Sequence, residues 1–305
     1  MKILYKLKVK SQKSKVKRDS LFKLKVIILL FFIPSLLIAQ VYSEKDIEIC
    51  KDKFKLAGDK NLGNKPIGDI IVEIGESFIG TDYAANTLEK GEKENLVINL
   101  TGLDCTTFIE NTLALARCIK QNKTTFKDYQ DELKRIRYRD GIINGYPSRL
   151  NYFSDWIYNN EQKGIIKDAT KEIGGKVIKF NVDYMSKHSN SYKRLKENPK
   201  LIPIITGQEK EIAKREYYFI PKDHLDSVES KIQDGDIIAM TSNVKGLDIN
   251  HVGIAIRTND RRVHLLNAPN VGYKVQISKL LLSDYLKKNK KDTGIIVLRV
   301  LNPMK

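Results

Sequence analysis

The sequence predicts an α+β domain with an antiparallel sheet. Helix-compatible segments fill the first part of the chain, and short β-rich runs separated by turn residues follow in the last third. Helices that come first and strands that come later favour this class over one in which the two alternate. The predicted strands are residues 235–240, 251–257, 263–268 and 295–300.

Three helices and one further strand are predicted ahead of that sheet. Residues 44–60 are polar and helix-compatible, and Pro66 opens a second helical stretch that ends at Gly80. Residues 96–100 are a short apolar strand candidate. A longer helix with an apolar stripe runs from Cys105 to about residue 120.

These elements predict one domain with a lead-in and an insertion. Residues 40–65 form an N-terminal helical lead-in, and residues 66–305 form a single domain. Residues 121–234 are charged, rich in Tyr and predicted to be mainly helical. We assign them as an insertion of about that length, because no Pro-, Gly- or Ser-rich linker separates them from the rest.

The N-terminus predicts export. The chain carries a formal charge of +17, and residues 1–25 hold nine Lys and one Arg against a single Asp. An uncharged run of 14 residues follows at 26–39, too short to span a bilayer comfortably. This pattern is typical of a secretory signal peptide, here residues 1–39, and predicts a periplasmic or otherwise exported bacterial protein. If the segment is not cleaved, it is an anchor and the protein's one contact with a membrane.

Composition excludes several other classes of function. More than half of the excess positive charge lies in the first 25 residues, and elsewhere the Lys are not interleaved with aromatic residues, so nucleic-acid binding is not expected. The four His show no zinc-ligand spacing, and no Cys-x-x-Cys accompanies them. We therefore expect neither a metal nor a cofactor.

Cys105 is the candidate nucleophile. It follows Asp104, a residue type suited to cap a helix, and is the first residue of the predicted helix. The dipole and unpaired N–H groups of a helix N-terminus favour a thiolate and lower the pKa of a thiol. The alternative is that Cys105 is only the first buried member of the apolar stripe, which is our preferred interpretation for Cys118.

His251 is the candidate base, because it opens a strand from which it can face a helix N-terminus. A three-residue loop at 258–260 would place His251 directly opposite Asn267 and turn His264 to the other face. Asn267 is then the stronger orienter of the imidazole. His264 is the reserve candidate, and Asn267 could also merely close its strand.

The order Cys105, His251, Asn267 is that of papain-like hydrolases. In such a site the Cys attacks an acyl carbon, the His protonates the leaving amine, and the Asn fixes the imidazole ring. These roles predict an acyl-transfer enzyme.

The ordered motifs resemble domain-of-unknown-function family 1460. That family resembles N-acetylmuramoyl-L-alanine amidases and is a branch of the NlpC-type papain-like cysteine hydrolases. The resemblance covers about residues 66–300 and implies a catalytic helix packed on an antiparallel sheet. The matching segments are FIGTDYAANTLE, LDCTTFIENTLALAR, YRDGIINGYPSRLNYFSDWI, GDIIAMTSNVKGLDINHVGIAIR and VHLLNAP.

The resemblance also implies site residues. The family's nucleophile falls on Cys105 and its base on His251. Its third polar position falls on Asn267, where related sequences often have His. Asn151 is a second position at which this chain departs from the pattern of the family. We assign substrate binding to four residues that lie near the thiol or in the SRLNYFSDW segment. They are Tyr83, Asp104, Ser148 and Arg149.

The expected substrate is a peptidoglycan fragment. The resemblance implies hydrolysis of the amide between N-acetylmuramic acid and L-alanine, and the basic protein suits an anionic stem peptide. One alternative is cleavage of the γ-D-glutamyl bond to the diamino acid, as other NlpC-type enzymes perform it. Another is a catalytically inactive domain that binds the cell wall.

Overall fold

The computed structural model of the protein describes residues 41–270 and 273–304. The predicted signal peptide lies outside them. None of the helices in the described part of the chain is long and apolar enough to cross a membrane.

The helices surround one large sheet. They are α1 (Glu44–Asp59), α2 (Ile67–Glu76), α3 (Cys105–Lys120), α4 (Phe126–Arg137), α5 (Phe153–Gln162), α6 (Thr170–Ile173), α7 (Tyr184–Lys187), α8 (Lys193–Glu197), α9 (Ile202–Ala213), α10 (Leu225–Val228) and α11 (Leu282–Lys288). The strands are β1 (Asp82–Tyr83), β2 (Gly102–Leu103), β3 (Ile166–Asp168), β4 (Lys176–Ile178), β5 (Tyr217–Pro221), β6 (Ile237–Ser242), β7 (Ile249–Arg257), β8 (Val263–Asn267), β9 (Gln276–Leu281) and β10 (Asp292–Val300).

The α+β prediction with an antiparallel sheet is confirmed. The large sheet has eight strands in the order β4-β5-β10-β6-β7-β8-β9, with β3 also paired to β10, and its strand pairs are antiparallel. The four predicted strands correspond to β6, β7, β8 and β10. The short strands β1 and β2 form a separate parallel pair.

Three sequence-based expectations about elements are wrong. The insertion is not only helical, because β3, β4 and β5 join the main sheet. The second helix ends at Glu76 and not at Gly80. Residues 96–100 do not form a strand, and only a single bridge pairs Val97 with Val41. The backbone N–H of Leu100 instead donates a hydrogen bond to the side chain of Asp46 at 2.7 Å.

Both faces of the central strands are buried, and this explains their nearly continuous apolar runs. Along β6, Ile237 and Ala239 belong to the core on the face of α3, whereas Ile238 and Met240 belong to the core on the opposite face. Because the strands alternate in this way, α3 is held against β7 and carries its N-terminus to that strand.

Candidate active site

Asp104 and Thr107 fix the start of α3, where Cys105 is the first residue. The carboxylate Oδ1 of Asp104 accepts a hydrogen bond from the backbone N–H of Thr107 at 2.8 Å, and Thr107 Oγ1 accepts one from the backbone N–H of Asp104 at 2.9 Å. This reciprocal cap sets where the helix begins. The thiol therefore lies at the helix N-terminus, as the sequence predicts.

The same cap bears on the role expected of Asp104. The carboxylate of Asp104 is engaged with Thr107. Two clefts in the surface are lined by Cys105, and Asp104 lines neither of them. Asp104 is thus a helix cap, and its expected contact with a substrate stays a prediction.

Tyr83 reaches the thiol through the small parallel sheet. In the pairing of β1 with β2, Tyr83 is level with Leu103, two residues before Cys105. Gly102 allows this approach, because a Cβ there would lie 2.7 Å from the Cβ of Ala84. Burial, and then the nearby Cys105 and Asp104, raise the pKa of the Tyr83 hydroxyl.

The imidazole of His251 is held by Asn267. His251 Nε2 lies 2.9 Å from Asn267 Oδ1, and Asn267 Nδ2 donates to the carbonyl of Leu265 at 3.0 Å. Because the second bond identifies the amide nitrogen, the oxygen faces the ring, and Nε2 must be the donor. Nδ1 of His251 is left with a lone pair that can accept a proton.

The hairpin register differs from the predicted one by two residues. Residues 258–262 form a five-residue turn, and β7 pairs with β8 through Ile254 opposite Leu266 and Arg257 opposite Val263. One step further, Asn267 falls opposite Gly253 and not opposite His251. The face is unchanged because a shift of two preserves the alternation of side chains.

His264 does not orient His251. It is paired with Ile256 in the hairpin, on the opposite face of the strand from His251. Its Nδ1 lies 2.9 Å from the carbonyl of Ser278, and its Nε2 lies 3.0 Å from Asp260. The reserve candidate therefore has a separate set of partners.

Cys105 lies next to the strand that carries this imidazole. Its sulfur accepts a hydrogen bond from the backbone of Val252, the residue that follows His251. Cys105 and His251 together line the two clefts. The structure thus brings Cys105, His251 and Asn267 into one constellation.

The larger cleft has a volume of about 520 Å³. The core supplies Cys105 and the first residues of β7, and the insertion supplies a wall with several aromatic rings. Asp248 joins the two parts, because its carboxylate accepts the backbone N–H of Ser154 at the start of α5, at 2.7 Å. The aromatic residues of the wall are Tyr146, Tyr152, Phe153 and Tyr192.

The smaller cleft, of about 260 Å³, shares Cys105, Asn250 and His251 with the larger one. Tyr83 lines it, together with Asn250 and Tyr285. The side chain of Asn250 is oriented by Asp292, whose carboxylate accepts its amide at 2.8 Å. The ring of Tyr285 lies nearly parallel to that of His251, with 6.2 Å between their centroids.

Ser148 and Arg149 do not line these clefts. Ser148 Oγ donates to the carbonyl of Gly145 at 2.7 Å, within its own turn. Arg149 is only 6% exposed and is paired with Glu89 at 3.0 Å and Glu94 at 3.1 Å. Both side chains are engaged within the protein, and their assignment to substrate binding stays a prediction that these contacts do not support. Asn151, a departure from the family pattern, does line the larger cleft.

A model of the AmiA-like family, described as N-acetylmuramoyl-L-alanine amidase-like, matches residues 73–295. The chain belongs to this family. No curated protein matches the chain.

Solved structures resemble this family member over most of its length. An N-acetylmuramoyl-L-alanine amidase from Bacteroides uniformis is 38% identical, with a TM-score of 0.74, over 77% of this chain and 99% of that chain. A Bacteroides fragilis protein, provisionally named a xylanase, is 43% identical with a TM-score of 0.72, over 75% and 100%. A family 1460 protein from Legionella pneumophila, 23% identical over 85% and 97% with a TM-score of 0.65, shares the fold.

Burial opposes ionisation of both groups in this amidase-like protein. Burial, and then the carboxylate of Asp104, raise the pKa of Cys105 to about 12, and hydrogen bonds from the backbone of Val252 and from Thr106 act in the opposite direction to a smaller extent. Burial lowers the pKa of His251. Both shifts favour the uncharged forms and oppose the thiolate that the sequence leads us to expect, since removal from water acts against the helix N-terminus.

No metal site competes with this constellation in the described residues, where no three His, Cys, Asp or Glu side chains come together as ligands.

Sequence reasoning missed three residues of the site. Asn250 and Tyr285 line the smaller cleft, and Gly253 leaves room for Asn267. The alternation of β7 could have identified Gly253, because it shares a face with His251. Nothing in the sequence indicated that α11 would bring Tyr285 to the imidazole.

Replacing Gly253 by Ala is expected to lower kcat without unfolding the protein. An added Cβ would lie 2.7 Å from Leu265 Cδ1 and 3.0 Å from the Cβ of Asn267, so the carboxamide must shift away from His251. We expect kcat to fall about tenfold or more, since displacement of a positioning group by about 1 Å can cost a hundredfold. The measurement is steady-state hydrolysis of a muropeptide, with the melting temperature as the control for folding. Unchanged kcat would show that this contact does not position Asn267.

Alkylation of Cys105 by iodoacetamide is expected to depend steeply on pH. A pKa near 12 means that the thiolate fraction rises about tenfold for each pH unit between pH 6 and pH 10, and the rate should follow it. Cys50 and Cys118 are buried, and the Cys105→Ala variant measures their contribution. A fast rate that stays constant from pH 6 to pH 8 would instead indicate a resting thiolate.

Proposed function

We propose that the protein is an exported cysteine hydrolase that cleaves the amide between N-acetylmuramic acid and L-alanine in peptidoglycan fragments. An amidase-like activity follows from membership of the family. The cysteine mechanism is supported by one observation above all. The bond from His251 Nε2 to Asn267 Oδ1 leaves Nδ1 as a proton acceptor, and His251 lines the same two clefts as a thiol at a helix N-terminus.

Acylation begins when the thiol proton of Cys105 moves to His251 Nδ1 and the sulfur attacks the lactyl carbonyl carbon. Backbone N–H groups of the first turn of α3, which have no partner within the helix, stabilise the oxyanion that forms. The tetrahedral intermediate then loses the amine of L-alanine, which takes the proton from His251 as the C–N bond breaks. A thioester on Cys105 and a free stem peptide result.

Deacylation returns the enzyme to its resting state. His251 takes a proton from water, and the hydroxide oxygen attacks the thioester carbonyl carbon. When the C–S bond breaks, the sulfur recovers its proton from the imidazolium. Asn267 accepts the Nε2 hydrogen bond throughout, and it stabilises the imidazolium in both half-reactions.

The proposed papain-like relationship rests on the order and placement of the three groups. Cys105 begins a helix that is packed on an antiparallel sheet, and His251 and Asn267 lie on neighbouring strands of that sheet. These placements support the proposed relationship to the NlpC-type hydrolases that the sequence resembles. Export, through a signal peptide at residues 1–39, accounts for access to a cell-wall substrate.

The proposal is tested by incubating the protein with purified muropeptides and identifying the products by mass spectrometry. We expect release of the intact stem peptide with a free L-alanine amine. Products cut between D-glutamate and the diamino acid would assign the endopeptidase activity instead. Absence of any cleavage, with retained binding of the fragments, would favour an inactive wall-binding domain.

Two site variants and one matched control connect this activity to the site. Cys105→Ala and His251→Gln should each lower kcat by at least about a thousandfold, because nucleophile and base act as a unit. His264→Gln, on the other face of the same hairpin, should keep activity within about threefold. The melting temperature of each variant controls for folding. Activity that survives Cys105→Ala would contradict the mechanism.

A further inference from the structure

The two clefts that meet at Cys105 differ in charge. Glu89, Lys193 and Asp248 line the larger cleft, so carboxylates outnumber cations there, and Lys193 also lies 3.9 Å from Glu197. Among the described residues that line the smaller cleft, Lys291 is the only Lys, Arg, Asp or Glu. The others are apolar or neutral and polar, mainly asparagines and tyrosines.

The backbone of Lys291 is fixed although its side chain is exposed. Its N–H donates to Asn289 Oδ1 at 3.1 Å, and its carbonyl accepts from the N–H of Asn243 at 2.9 Å. Lys291 immediately precedes β10, which is paired with β6 in the middle of the sheet. No ion pair within the described part of the chain engages its ammonium group. The ammonium group of Lys291 therefore lies at the cleft and is available to bind a ligand.

Arg149, the cation that the sequence assigned to substrate binding, already has its charge neutralised by carboxylates of the protein. Arg149 faces Glu89 and Glu94, and burial keeps these groups together. A second carboxylate from a substrate would have to displace one of them. Lys291 has no such competitor among the residues that the structure describes, and it lines the smaller cleft but not the one that contains the aromatic wall.

We propose that Lys291 binds the α-carboxylate of the D-glutamate residue in the stem peptide, so that the smaller cleft receives the leaving group. This inference rests on the proposed function. The γ-linkage of D-glutamate leaves its α-carboxylate free, one residue beyond the L-alanine whose amine departs. The larger cleft then receives the muramoyl group, whose apolar ring face packs on the tyrosines of the insertion.

The test uses two substrates that differ in one charge. One is N-acetylmuramoyl-L-alanyl-γ-D-glutamyl-L-lysine, and the other has the D-glutamate α-carboxylate converted to a primary amide. We expect kcat/KM of the unmodified protein to be about fivefold higher for the carboxylate, with most of the difference in KM, since an exposed ion pair contributes modestly. Added salt should reduce this preference.

Variants of adjacent lysines isolate the contribution of Lys291. Lys291→Gln should abolish the preference, and Lys291→Glu should reverse it. Lys290→Gln removes the same charge one residue away, outside both clefts, and should retain the preference. A preference that survives Lys291→Gln, or equal kcat/KM of the unmodified protein for both substrates, would overturn the inference.

Binding to the Cys105→Ala variant separates this inference from the proposed function. Calorimetric titration of that variant with the same two substrates should show a Kd about fivefold lower for the carboxylate. If the unmodified protein hydrolyses neither substrate but this difference in Kd is present and depends on Lys291, the proposed reaction fails and the inference stands. Equal Kd values would overturn the inference whether or not hydrolysis occurs.

Discussion

The hydrogen bond between Asn267 and His251 is the constraint on which the rest of the site depends. It assigns the ring proton to Nε2 and thereby gives Nδ1 the lone pair that a thiol proton requires. Asn267 can do this because its own amide group is held by the carbonyl of Leu265, two residues away on the same strand. A hydrogen bond within the buried β7–β8 hairpin thus determines which ring nitrogen of the candidate base carries the proton.

Burial both assembles this site and sets its resting charge. The same removal from water that orders Cys105, His251 and their neighbours raises the pKa of the thiol and lowers that of the imidazole. A neutral pair costs less to bury than an ion pair in the absence of substrate. Charge then develops only in the transition state, where the helix N-terminus and Asn267 stabilise it, and differential stabilisation of that kind accelerates the chemical step.

The sequence predicted the parts of the protein that local chemistry determines. The helix from Cys105 followed from a cap residue and an apolar stripe, and the four main strands followed from their β-rich runs. Placement of His251 and Asn267 on one face followed from alternation, although the turn was two residues longer than expected. A register shift of two does not change the face, and for that reason His251 and Asn267 still share a face and their side chains still meet, although they are not directly opposite each other.

Features that depend on distant parts of the chain could not be predicted. Arg149 looked like a substrate ligand because its partners, Glu89 and Glu94, lie more than 50 residues away in sequence. The strands of the insertion are short, and only their pairing with β10 and with each other identifies them. The thiol pKa likewise depends on burial in the assembled fold, whereas the sequence showed only the helix start.

The most direct test is ¹⁵N NMR of the His251 ring at pH 8, above its lowered pKa. The account predicts that Nε2 carries the proton and Nδ1 does not, and that Asn267→Ala shifts the ring toward a mixture of both tautomers. A proton on Nδ1 in the unmodified protein, or a spectrum unaffected by Asn267→Ala, would contradict it.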